Sequence, residues 1–148
     1  VGYTRRDYDQ GNRNFRGLTT GFDTEWAVSG AVQMRASLGR SIEPDDDAVT
    51  GSYADTWSLN FSPTIQATGK ITVEPYLRLY DRRYKGDQLA AGQVERKDKI
   101  YMVGAEADYE FRRNMFLMAS ISREQRDSNR ANLDYKANVF GLGLKVQF

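Results

Sequence analysis

Cysteine and histidine are both missing from the 148 residues. That excludes disulfides, thiolate nucleophiles, Cys/His zinc centres and any histidine-dependent triad. No excess of one charge exists either: 21 Lys and Arg stand against 20 Asp and Glu, a net charge of +1. Such a chain lacks the field that gathers nucleic acid, and no nucleic-acid partner is expected. Long apolar runs are also lacking. The best, Ile100 to Ala105 and Met115 to Ala119, fall far short of the ~20 residues of a membrane helix. The start, Val1-Gly2-Tyr3-Thr4, has no apolar leader core, as expected of a mature or trimmed chain. Proline is scarce at 3 residues, whereas glycine reaches 13 and aromatics 12%. Many strands joined by tight turns fit that balance better than helices or disorder. The mean hydropathy of −0.66 looks soluble, but an average conceals alternation.

Alternation is what the chain shows. From Ala31 to Ile42, Val32, Met34, Ala36, Leu38, Arg40 and Ile42 interleave with Ala31, Gln33, Arg35, Ser37, Gly39 and Ser41. From Ile71 to Tyr80, Ile71, Val73, Leu77 and Leu79 interleave with Thr72, Glu74, Tyr76 and Arg78. At the end, Phe140, Leu142, Leu144, Val146 and Phe148 interleave with Val139, Gly141, Gly143, Lys145 and Gln147. Successive strand side chains point to opposite faces, so each segment has one greasy face and one wet face. The pattern predicts about eight strands, over 1–9, 15–27, 31–42, 52–63, 70–80, 98–111, 115–124 and 134–148. Pro75 lies inside one of them and should force a bulge, or a register that turns its nitrogen away from its neighbour.

The connections alternate in length. Short ones fall at Val28-Ser29-Gly30, Ala67-Thr68-Gly69 and Arg112-Arg113-Asn114, and long polar ones near 10–14, 43–51, 81–97 and 125–133. Outer-membrane barrels have short periplasmic turns and longer external loops, which would place both termini on the periplasmic side. An all-β, antiparallel, up-and-down transmembrane barrel formed by a single domain, 1–148, is the fold expected. A soluble lipocalin-like barrel would instead turn the apolar face inward. Strand length favours the membrane: many candidates match the ~9–11 residues that cross a bilayer. Aromatics toward strand ends (Trp26, Tyr53, Phe61, Tyr101, Tyr109, Phe111, Phe148) suit interfacial girdles. The wet face would line a lumen with Glu25, Gln33, Arg35, Glu74, Arg78, Glu106, Asp108 and Lys145.

The last residues, Gly143-x-x-Val146-x-Phe148, resemble the terminal signal read by the outer-membrane assembly machinery. Other phrases point to a family. Gly2-Tyr3-Thr4-Arg5-Arg6-Asp7-Tyr8-Asp9 with Phe15-Arg16-Gly17-Leu18-Thr19-Thr20, then Arg96-Lys97-Asp98, Ala107-Asp108-Tyr109 and Ser122 to Asn129, resemble outer-membrane β-barrels of the porin type associated with bacterial exopolysaccharide biosynthesis and export. The resemblance implies a bacterial outer-membrane location and a glycan-secretion role. Those barrels resemble larger pores, so the chain is expected to be either a self-contained small barrel or the C-terminal part of a larger one. Eight strands enclose a space that side chains fill, whereas a water-filled channel needs roughly sixteen.

No catalytic residue, cofactor or metal is expected. Enzymatic barrels of this membrane resemble one another in using histidine. Glu106, Asp108 and Glu110 share a face, but are expected to balance Arg35, Arg78 and Lys145 rather than cleave a glycan. Pro44-Asp45-Asp46-Asp47 lacks the spacing and glycine of a calcium loop. Arg82, Arg83 and Lys85, with Arg96 and Lys97, are candidates to meet lipopolysaccharide phosphates or, with Tyr80 and Tyr84, an acidic glycan. Expected partners are therefore lipid, lipopolysaccharide, the assembly machinery and a polysaccharide. The alternative functions are a closed structural or adhesive barrel and a soluble ligand binder.

Overall fold

The computed structural model describes residues 1–6, 15–44, 53–85 and 94–147. They form strands β1 (Gly2–Arg6), β2 (Phe15–Ser29), β3 (Val32–Pro44), β4 (Tyr53–Thr68), β5 (Ile71–Lys85), β6 (Lys97–Arg112), β7 (Met115–Ser128) and β8 (Tyr135–Val146). All are antiparallel neighbours in chain order within one 8-stranded sheet. β1 and β8 are its two edges. The up-and-down order and the strand count follow the alternation. Several strands run further toward the long loops than the pattern predicts. β5 continues to Lys85, so much of the basic segment assigned to a loop is strand. β1 runs Gly2–Arg6 within the described residues, and positions 7–9 of the expected first strand lie outside them.

The short turns fall where glycine or asparagine permits reversal. Asn114, at the β6–β7 turn, takes φ 62°, a left-handed backbone that asparagine tolerates better than most residues. In the β4–β5 turn the Thr68 hydroxyl accepts from the amides of Lys70 and Ile71. Register then carries one apolar row across the sheet, with Phe22 opposite Leu38, Leu38 opposite Leu59, and Leu59 opposite Leu79. Further along, Ile121 stands opposite Phe140 and Ala119 opposite Leu142.

Those apolar side chains face outward. Leu142 is 85% exposed, Phe140 73% and Phe22 65%. The polar face is the enclosed one toward the long loops, where Asp98 is 0% exposed and Tyr84 and Ile100 are buried. The sheet is thus inverted relative to a soluble barrel, with its grease outside. Trp57 and Tyr101 flank the apolar belt toward the loops and Trp26, Tyr109 and Phe111 toward the turns. Phe61 departs from the girdle expectation: it pairs with Ala36 and Leu77 in the middle of the belt. Phe148 and Asp45 to Asp47 lie outside the described residues.

Pro75 causes no bulge. The β4–β5 ladder lapses between the pairs Phe61–Leu77 and Ile65–Val73, a stretch holding both Pro63 and Pro75, and resumes in unchanged register. Two residues without an N–H lie at one level of neighbouring strands, so a gap in the ladder replaces a shift. A side-chain hydrogen bond, Thr64 Oγ1 to Glu74 Oε1 at 3.2 Å, spans the gap.

Candidate functional site: the polar face

The eight residues expected on the wet face do share it. Glu25 pairs with Arg35, Gln33 with Thr64, Glu74 with Glu106, Arg78 with Met102, Asp108 with Met118 and Lys145 with Phe116. The ion-pair balance expected among them is not what forms. Arg35 Nη2 reaches Glu25 at 3.5 Å, with both side chains more than half exposed. Arg78 stacks over the Tyr76 ring at 4.5 Å, and Lys145 lies over Phe116 at 5.9 Å. Among the described residues no cation pairs with Glu106, Asp108 or Glu110. The reason is registry: strand alternation brings Glu74 directly opposite Glu106 and leaves the cations on other rows.

Toward the loops the face is different. Asp98 accepts two hydrogen bonds from Arg96 Nε, one from Arg96 Nη2 at 2.7 Å and one from Ser128 Oγ at 2.6 Å. Arg126 Nη2 lies 3.0 Å from it. Arg96 stacks on Tyr84 at 4.2 Å, and Arg126 on Tyr135, which donates to Glu124. Asp98 stands one row loopward of the row that carries Trp57, beyond the apolar belt. Burial pushes its carboxyl up, but the bonds from Arg96 and Ser128 and the two guanidinium charges win and hold it below the usual carboxylate range. Sequence reasoning missed this cluster because Asp98, Arg126 and Tyr135 come from three strands and only register brings them together.

Alternation divides the basic group assigned to lipopolysaccharide. Arg82 joins the polar face, opposite Asp98, while Arg83 and Lys85 take the outer face. There Arg83 pairs with Asp81 at 3.1 Å and Lys85 lies 3.8 Å from Asp55. Asp55 also receives Arg40 at 2.8 Å, and that hydrogen bond holds its carboxyl low. Gly143 pairs with Met118 and Val146 with Met115 at the turn end of β8.

A sheet of this length, grease outward and charge inward, is the wall of a membrane barrel. A family model described as "Putative beta-barrel porin 2" matches residues 1–148. The chain belongs to this β-barrel porin family. Comparison with curated proteins and with solved structures gave no match. Within the porin-family wall, no group of carboxylates among the described residues is arranged to hold a metal ion.

Proposed function

We propose that this porin-family chain is a non-catalytic outer-membrane component of glycan secretion, providing a polar-lined passage or a membrane anchor. One observation carries the reading: large apolar side chains stand on the outer face of every long strand, whose charges gather toward the loops apart from Arg123, while the other face carries ionisable groups along its whole length. In water that arrangement would expose a greasy surface of many residues; in a bilayer it is solvated. Both termini then lie on the periplasmic side, the long loops outside, and the outer Arg83 and Lys85 at lipopolysaccharide depth. The Gly143–Phe148 ending serves the assembly machinery in this reading. The glycan role rests on the family resemblance and on a face rich in hydroxyls and charges that exchange hydrogen bonds with a hydrated polymer.

A second reading, a closed barrel without transport, is favoured by the Arg96–Asp98–Arg126 cluster, which fills space at the loop end. The test is conductance of the refolded full chain in planar bilayers, with heat-modifiable gel mobility reporting folding. Large, stable steps support passage. A folded, silent barrel supports the anchor, and a chain that stays folded in plain buffer without inserting overturns the membrane reading.

A further inference from the structure

The inward side of β5 reads, in order, Tyr76, Arg78, Tyr80, Arg82 and Tyr84. Residues two apart on a strand repeat every ~7 Å, so rings and guanidinium groups alternate along the barrel wall. Each ring carries an arginine: Arg78 over Tyr76 at 4.5 Å, Arg82 over Tyr80 at 5.8 Å and Arg96 over Tyr84 at 4.2 Å. A guanidinium held over a ring is positioned while its N–H groups stay directed at a planar carboxylate, as those of Arg96 are at Asp98.

Two of these arginines have charge to offer. Arg82 stands in register with Asp98, but that carboxylate is occupied by Arg96 and Arg126. Among the described residues neither Arg78 nor Arg82 forms an ion pair. Arg82 Nε is buried without a hydrogen-bond partner, and so is Thr56 Oγ1, its cross-strand neighbour. Such atoms are costly unless something satisfies them. Beside the ladder, β4 presents small side chains, Ala54, Thr56, Ser58 and Asn60, opposite Tyr84, Arg82, Tyr80 and Arg78. This flank is closed at the loop end, where Ala54 and Thr56 are buried, and further down it carries the Ser58 hydroxyl and the Asn60 amide, which donates to Ser37.

The foot of the ladder is fixed. Tyr76 lies across Gly104, where an added Cβ would come within 2.5 Å of the ring. The head is closed by Tyr84, which is 7% exposed. Below the foot, Glu74 and Glu106 repel anions and confine them to the loop half.

We infer that the Tyr76–Tyr84 ladder of β5, with its β4 flank, is a binding track for a carboxylate-bearing glycan, read by Arg78 and Arg82. The inference rests on the glycan reading above and adds the charge class of the polymer. A neutral glycan would leave the exposed Arg78 and the half-buried Arg82 without a counter-charge, so the track discriminates by charge.

The test is calorimetric titration of the full chain, refolded in a zwitterionic detergent, with galacturonate oligomers and with neutral galactose oligomers of equal length. The acidic oligomer should bind at least about tenfold more tightly, since each charge-assisted pair carries roughly that factor. The R78Q/R82Q variant, shown folded by heat-modifiable mobility, should lose about tenfold or more. Glu74→Gln should leave binding unchanged or stronger. Equal affinity for both oligomers, an undiminished double variant, or no binding by the folded chain overturns the track. A chain that conducts but ignores galacturonate refutes the track and spares the passage. One that binds but never conducts refutes the passage and spares the track.

Discussion

The two halves of the polar face solve the problem of buried charge differently. In the loop half, Asp98 is wholly enclosed and answered by Arg96, Arg126 and Ser128. In the turn half, Glu106 and Asp108 are exposed and answered by no cation among the described residues. Water does there what guanidinium groups do above. The loop half is therefore a rigid, specified network, and the turn half an open, hydrated, acidic vestibule. Of the acids on this wall, Glu106 and Asp108 are left unpaired where solvent still reaches them.

Removing Asp98 is the largest test of that contrast. Asp98→Ala strands two mostly buried arginines and should cost about 3–5 kcal/mol, the penalty of breaking a buried pair. Urea unfolding in detergent, followed by gel mobility, measures it; Glu106→Ala in the vestibule should shift the same midpoint little. The network should also be acid-sensitive. Because Asp98 titrates below its ordinary value of 3.8, its stabilisation is complete above that pH and is lost as pH falls through the lowered folded value. A D98N variant should flatten that acid limb of the unfolding profile.

Across the wall, Leu142→Arg should cost up to about 2–4 kcal/mol in lipid, the midplane figure for a cation on the outer face. A soluble barrel would barely notice it at a site 85% exposed, so folding yields into vesicles decide. Gly104→Ala should cost about 1–3 kcal/mol by overpacking. Its Cβ would meet Tyr76 and stand 2.7 Å from the Ile121 carbonyl oxygen, and thermal unfolding reads the loss. The smallest effect is expected for Arg35→Gln. Its partner Glu25 is 3.5 Å away on an exposed surface, and such pairs contribute about 0–1 kcal/mol.

Much of the fold was legible because period-2 patterning is strong in β3, β5 and β8, where Val32 to Leu38, Ile71 to Leu79 and Phe140 to Val146 keep to one face. Strand ends were less legible. Past Tyr80 the outward residues are Asp81, Arg83 and Lys85, so the apolar marker disappears although the backbone continues as strand. That is why the sequence alone groups Arg82 with Arg83 and Lys85, although the pleat sets them on opposite faces. The eight inward residues were readable by parity alone. Their partners were not, because register is a property of strand pairs: nothing local to Glu74 announces that it will meet Glu106, or local to Asp98 that Arg126 will arrive.

The twin prolines of β4 and β5 have a consequence for motion. With the ladder lapsed around Pro63 and Pro75, which lack the N–H groups that would cross it, the amides of Phe61, Ile65, Val73 and Leu77 border a seam held by one side-chain bond. Backbone opening there requires breaking fewer bonds than anywhere else between the two strands. Deuterium should enter the wall first along that seam, and the foot of the Tyr76 ladder should breathe with it.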